Sequence, residues 1–147
     1  MRFHNDDKER LLETAALRAL SILSPEEVPS FPSFFSARGR RVHARREKTD
    51  AALGPGFLLR NEETVYTPAL VRAGNFLIRE LVRQFAGQAQ KYEGTLGEWA
   101  AEIIGRQPPE MLQTFSAGVI KRLKAAGLTE DQARRAERAL TQALRPS

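Results

Sequence analysis

A long amphipathic segment between about Pro68 and Tyr92 constrains the fold more than any other part of the chain. Apolar side chains recur there every three or four residues, at Leu70, Ala73, Leu77, Leu81, Phe85 and Ala89. This spacing follows the 3.6-residue period of an α-helix, so these side chains share one face. The segment therefore predicts a helix whose apolar stripe must be covered by other parts of the chain.

The N-terminal part of the chain predicts two more helices. Residues 6–23 have the same helical spacing of apolar residues, and Asn5 or Asp6 is suited to cap the first turn. Ser24 and Pro25 are a cap residue and a proline at the first helical position, which is typical of a helix start. We expect this second helix to be short, because two prolines follow within about two turns, Pro29 and Pro32.

The C-terminal part carries two capping boxes, in which a threonine is followed three residues later by Glu or Gln. They predict helix starts at Thr95 and Thr129. Another helix is predicted to start near Pro109, and Gly127 is suited to end it. Residues 109–144 are thus predicted to form a helical hairpin. Such a hairpin either completes a core or forms a two-fold contact, and we expect a homodimer through the C-terminal helices.

One β-hairpin is predicted in the middle of the chain, after the helix-breaking run 54–56. Residues 57–60 and 64–67 are short strand-like runs, joined by a connection in which Asn61 can adopt a left-handed conformation. The predicted fold class is therefore mainly α, a helical domain with one short β-hairpin plus a C-terminal helical hairpin. We expect a nucleic-acid-binding domain over 1–92 and a helical extension over 93–147.

The charge of the chain is concentrated in residues 38–48. This basic tract has a net charge of +5, which equals the net charge of all 147 residues. Clustered cations are typical of surfaces that bind phosphates, because binding releases condensed counterions. The alternatives are a solvated charged loop, arginines that pair with acids elsewhere on the protein or on a partner, and a surface for an acidic protein or a membrane. The candidate nucleic-acid-binding residues of the tract are Arg38, Arg40, Arg41, Arg45, Arg46 and Lys48.

The order of the predicted elements adds an expectation about how the basic tract binds. A helix, a short helix, a basic helix over about 33–53, a β-hairpin and a long helix resemble a winged helix-turn-helix domain over residues 6–92. The resemblance implies that the third helix enters the major groove of duplex DNA. Arg41 and Arg45 then face the bases, and Arg60 contacts DNA from the wing, with phosphate contacts left to Arg38, Arg46 and Lys48.

The sequence departs from the winged helix-turn-helix pattern in two places. The prolines between the first helices make an irregular link, and Glu62 and Glu63 in the wing would face phosphates unfavourably. Phe31, Phe34 and Phe35 beside the tract suit stacking on unpaired bases, although phenylalanine at helical spacing is more typical of a core. A second set of cations lies further along the chain, at Lys121, Arg122 and Lys124. This set is more typical of a solvated helix face than of a further part of the basic binding surface.

Catalytic and metal-binding motifs are not found in the sequence. The chain has no cysteine, its two histidines have no partner at ligand spacing, and no phosphate-binding glycine loop is present. We therefore expect a cytoplasmic, non-enzymatic nucleic-acid-binding protein with no metal and no cofactor, and no membrane among its partners. Duplex DNA is expected before RNA, as in a transcriptional regulator or a DNA-processing accessory factor. The alternative is an all-helical protein-interaction module, or a subunit of a larger assembly that also contains RNA.

Overall fold

The computed structural model describes residues 4–37 and 64–145, and these residues form α-helices and one 3₁₀-helix. The 3₁₀-helix spans Pro25–Ser30. The α-helices are α1 (Asn5–Leu23), α2 (described over 31–37), α3 (Tyr66–Gln84), α4 (Ala86–Lys91), α5 (Leu96–Arg106), α6 (Pro109–Ala125) and α7 (Glu130–Leu144). No membrane-crossing helix is found in these two ranges, since none combines the necessary length with a sufficiently apolar sequence.

Four helices, α1, α3, α6 and α7, enclose the core. Helix α1 packs against α3 and α7, while α6 packs against the same two helices on the other side. The shorter helix α5 contacts α1 and α7 and buries Trp99. Buried side chains from 1–92 and from 93–147 belong to one hydrophobic cluster, which includes Leu12, Leu70, Leu123 and Leu140.

Helices α1, α3 and α7 approach each other at Gly74. A methyl group built on Gly74 would lie 2.9 Å from Cδ1 of Leu12 and 3.7 Å from Cδ2 of Leu140. The absence of a side chain at this position therefore lets the two flanking helices pack closely against α3. This close approach positions the whole exposed face of α3 relative to α1.

The predicted C-terminal helical hairpin is present, and its start and turn signals act as expected. The hydroxyl of Thr95 accepts a hydrogen bond from the amide of Glu98 at 3.1 Å, and that of Thr129 accepts one from Gln132 at 3.2 Å. Gly127 has a φ of 109° and follows the last turn of α6. The amide of Leu128 donates to the carbonyl of Leu123 at 3.2 Å, as in a Schellman motif.

The predicted β-hairpin is wrong. Its first strand, 57–60, lies outside the described residues, but its second, 64–67, runs into the first turn of α3, and neither described range contains a strand. The physical reason is a side chain distant in sequence, because the Glu27 carboxylate accepts hydrogen bonds from three amides at this helix start. These amides would otherwise lack partners, as they do at any helix N-terminus. The described residues therefore do not form the wing that the winged helix-turn-helix resemblance implies.

Two predicted helix boundaries also shift. Pro32 does not stop a helix but lies in the first turn of α2, where a proline costs no hydrogen bond. The long helix predicted to reach Tyr92 is divided at Phe85, whose φ of −117° and ψ of 35° separate α3 from α4. The apolar spacing continues through Phe85 and Ala89, so periodicity alone does not reveal this break.

Candidate nucleic-acid interface

The candidate residues of the basic tract, and Arg60, lie outside the residues that the structure describes. They are Arg38, Arg40, Arg41, Arg45, Arg46, Lys48 and Arg60. The first described range ends at residue 37, within α2, and the second begins at residue 64, two residues before α3.

Glu27 connects the two flanks. Its side chain is 4% exposed and belongs to the 3₁₀-helix that precedes α2. Its carboxylate accepts hydrogen bonds from the amides of Val65, Tyr66 and Thr67 at 3.0–3.1 Å and from the Thr67 hydroxyl at 2.7 Å. Burial raises the pKa of Glu27, but these hydrogen bonds outweigh it, so the pKa lies below its usual value. An ionised carboxylate thus caps α3 from another element.

A basic groove of about 700 Å³ runs along the exposed face of α3. Its charged lining consists of five cationic side chains and one carboxylate, a formal charge of +4. The cations are Lys8, Arg72, Arg79, Arg83 and Arg122, and the carboxylate is that of Glu80. We call this surface the basic groove.

Three helices supply the lining of the basic groove. Arg72, Arg79 and Arg83 stand at i, i+7 and i+11 on α3, which places them along one face of the helix. Lys8 reaches the groove from the first turns of α1, and Arg122 from the last turns of α6. Helix packing, more than local sequence, therefore brings these charges together.

One of the five cations is neutralised inside the groove. Arg83 donates two hydrogen bonds to the Glu80 carboxylate, and their closest approach is 2.6 Å. The hydrogen bond from Arg83 holds the pKa of Glu80 below its usual value, and the charge of Arg122 lowers it further. Within residues 4–37 and 64–145, no carboxylate lies at ion-pair distance from the other four cations, Lys8, Arg72, Arg79 and Arg122. Within the described part of the chain, these four positive charges are not neutralised by an ion pair.

Arg122 is fixed on one wall of the groove by an aromatic ring. Its guanidinium carbon lies 3.9 Å from the centroid of the Phe76 ring, a close cation–π contact. The ring in turn rests against Gly118 of α6, where a built methyl group would lie 2.8 Å from Cε2 and Cζ of Phe76. Arg122 is thus half-buried, unlike the solvated side chain that the sequence predicts.

A second groove, between α1, α5 and the end of α7, lacks this charge excess. It measures about 790 Å³ and is lined by three arginines and three acidic residues, which balance formally. Clusters of three or more metal-ligating side chains are not found in the described part of the chain. The basic groove is therefore the surface on which the following proposals are built.

The aromatic residues next to the tract have a different role from the one considered for base stacking. Phe31 is 1% exposed and belongs to the core, and its ring stacks on that of Phe35 with centroids 5.4 Å apart. Phe34 and Phe35 are partly buried against the same core. The core interpretation of these rings, which helical spacing favoured, is the one that the packing supports.

Sequence reasoning missed the basic groove, although part of its signal was readable. The spacing of Arg72, Arg79 and Arg83 on the amphipathic helix α3 indicates a cationic face opposite the apolar stripe. The contributions of Lys8 and Arg122 depend on which helices pack beside α3, and no local pattern contains that information.

Comparisons with known proteins add no family or fold relationship. No family model matches the chain, and neither a curated protein nor a solved structure matches it.

Proposed function

We propose that this protein binds nucleic acid through the basic groove and the basic tract, and that it does not catalyse a reaction. The observation that carries the proposal is the groove on α3, in which four cations lack a carboxylate partner among the described residues. Phosphates are the anions that such a row of arginines suits best, because each guanidinium presents a planar fork of donors.

The groove and the tract are connected through the chain. The described chain resumes at residue 64, and Arg72 lies six residues after the first residue of α3, about 9 Å along the helix axis. The Glu27 cap supports this arrangement, because it fixes the start of α3 to the 3₁₀-helix that precedes α2. In sequence, the tract ends 24 residues before Arg72 and holds six further cations.

The expected preference for duplex DNA depended on the winged helix-turn-helix resemblance, and the correction of the β-hairpin removes that support. What remains is a cationic surface that fits a regulator or a DNA-processing accessory factor equally well. A cytoplasmic location is part of the proposal, and the absence of cysteine from the chain is compatible with it. Homodimerisation also stays a prediction. The apolar residues of α7, including Ala136 and Leu140, are buried in the core, so a dimer contact there must use the polar face.

The test is fluorescence-anisotropy binding over a salt series, with labelled duplex and single-stranded oligonucleotides. A groove variant, Arg72→Gln with Arg79→Gln, is compared with a matched variant, Arg135→Gln with Arg138→Gln. Both pairs are exposed and both variants lower the net charge from +5 to +3, but only the first pair lines the groove. Circular dichroism confirms that each variant is folded.

We expect the groove variant to bind more weakly and to reduce the slope of log affinity against log salt. The reduction should be about 1.8 on a duplex and about 1.4 on a single strand if each arginine meets one phosphate. The matched variant should keep nearly the native slope. A third variant, Arg41, Arg45 and Arg46→Ala, reports the contribution of the tract. Native protein that binds no nucleic acid at low salt would refute the proposal and favour the protein-interaction alternative.

A further inference from the structure

The pair of Phe76 and Arg122 gives the basic groove a feature that phosphate binding alone does not need. A phosphate can also be bound by an arginine that is free to move, whereas the guanidinium carbon of Arg122 is held 3.9 Å from the centroid of an aromatic ring. Phe76 is the one aromatic side chain among the described residues that line the groove. This arrangement combines a charge with a flat surface of defined position.

The position of the ring is itself determined by α6. Gly118 and Arg122 are one helical turn apart, so they share a face of α6. The glycine leaves room for the edge of the Phe76 ring, since any side chain there would begin 2.8 Å from two ring carbons. The ring therefore lies close to the backbone of α6, and Arg122 covers it from the next turn.

The guanidinium of Arg122 contacts the Phe76 ring, with 3.9 Å between its central carbon and the ring centroid. No carboxylate of the described residues forms an ion pair with Arg122. Guanidinium planes and aromatic rings are the surfaces on which proteins stack exposed nucleobases. In a duplex each base is already covered on both faces by its neighbours, so only an unpaired base can reach such a surface.

We infer that the basic groove binds single-stranded nucleic acid, with one unpaired base stacked on the Arg122 guanidinium. This inference rests on the proposed function and specifies its substrate. Arg72 and Arg79 lie two helical turns apart on α3, about 10 Å along its axis, and supply phosphate contacts beside the stacked base. Arg122 is then a binding residue whose flat shape matters in addition to its charge.

The test separates shape from charge with Arg122→Lys. Lysine keeps the positive charge but lacks the planar group, and Arg135→Lys is the matched control at an exposed arginine outside the groove. Both variants and the native chain are titrated with three labelled oligomers of equal length. These are a thymine-only DNA strand, the corresponding uracil-only RNA strand, and a DNA strand in which every nucleotide lacks its base.

The expected result is a selective loss. Arg122→Lys should bind the thymine strand at least about fivefold more weakly than the native chain, with an unchanged salt slope, because a stacked base is lost but no phosphate contact is. The native chain should bind the abasic strand with a similar loss, and Arg135→Lys should bind within about twofold of native, because Arg135 does not line the groove. The RNA arm identifies which single strand the groove prefers, and the same loss on either strand supports the inference.

Two results would overturn the inference while leaving the proposed function intact. One is equal affinity of Arg122→Lys and the native chain for the thymine strand, together with weaker binding by the Arg72→Gln, Arg79→Gln variant. The other is tighter binding to a duplex than to either single strand. Failure of the native chain to bind any oligomer would instead refute the proposed function itself.

Discussion

Glu27 and Thr67 are 40 positions apart in sequence and joined by two hydrogen bonds, from the Thr67 amide at 3.0 Å and the Thr67 hydroxyl at 2.7 Å. The amides of Val65 and Tyr66 donate to the same carboxylate. A buried carboxylate with donors on both oxygens is stable only while it stays ionised and the donors stay in place. The start of α3 therefore depends on one residue of a different element.

Glu27→Gln should destabilise the fold by about 2–3 kcal/mol at neutral pH. The amide group places a donor among donors and removes the charge that strengthens these hydrogen bonds. Urea unfolding followed by circular dichroism measures the change. Glu26→Gln is the matched control, because Glu26 is the exposed neighbour of Glu27, and we expect it to change stability by less than about 0.5 kcal/mol.

The pH dependence of stability follows from the lowered pKa of Glu27. Its stabilising contribution is fully present above the ordinary carboxyl value of 4.5 and is lost as the pH falls through the lower value of the folded state. Native protein and Glu27→Gln should therefore differ most near pH 7 and converge toward about pH 3. A difference in unfolding free energy that stays constant between these two pH values would contradict the assigned hydrogen bonds.

Gly127→Ala should destabilise the protein by about 1 kcal/mol, because an L side chain is strained at a φ of 109°. The Schellman hydrogen bonds of the α6–α7 turn require this conformation. Gly105→Ala is the control, since a methyl group there meets nothing within 4 Å and alanine suits a helix better. We expect it to stabilise by about 0.5 kcal/mol. Thermal unfolding of both variants gives the comparison.

Gly74→Ala should be destabilising by about 1 kcal/mol although it improves helix propensity. The added methyl group lies 2.9 Å from Cδ1 of Leu12, which is fully buried, so the Leu12 side chain must repack to relieve the contact. Overpacking of this kind costs about 1–3 kcal/mol, against a propensity gain of about 1 kcal/mol. Gly87→Ala, where nothing lies within 4 Å, should show the gain alone. Equal stabilities of the two variants would mean that α1 and α3 pack less closely at this point.

Local signals in the sequence predicted most of the helices, while contacts distant in sequence decided the rest. The capping boxes at Thr95 and Thr129 and the stop at Gly127 are confirmed because each acts on its own helix end. The segment 64–67 was predicted as a strand because its β-branched and aromatic residues favour one. Its amides instead donate to the Glu27 carboxylate, and no local pattern indicates a hydrogen-bond partner about 40 residues away.

The candidate site divides in the same way. The arginines of α3 follow one helical face and were readable from their spacing, whereas Lys8 and Arg122 join them only through helix packing. The net charge of the chain favoured residues 38–48 as the binding site, because that segment accounts for the charge of the whole chain. A groove whose cations are offset elsewhere by acids does not change the net charge, so a sum over the sequence conceals it.

Glu80→Gln should strengthen nucleic-acid binding. Glu80 is the one carboxylate among the described residues of the groove, and it is hydrogen-bonded to Arg83. Its removal frees that guanidinium for a phosphate and removes a repulsive charge, at little cost in stability, since exposed ion pairs contribute less than about 1 kcal/mol. We expect affinity for a single strand to rise about threefold and the salt slope to steepen by up to about 0.7.

The control for this variant is Glu110→Gln, which changes the net charge equally. Glu110 is exposed near the start of α6, twelve residues from Arg122 and about 18 Å away along the helix axis. Fluorescence anisotropy at two salt concentrations distinguishes the variants. An equal gain for both would show that the net charge of the chain governs binding, whereas a gain for Glu80→Gln alone would locate the bound phosphates in the basic groove.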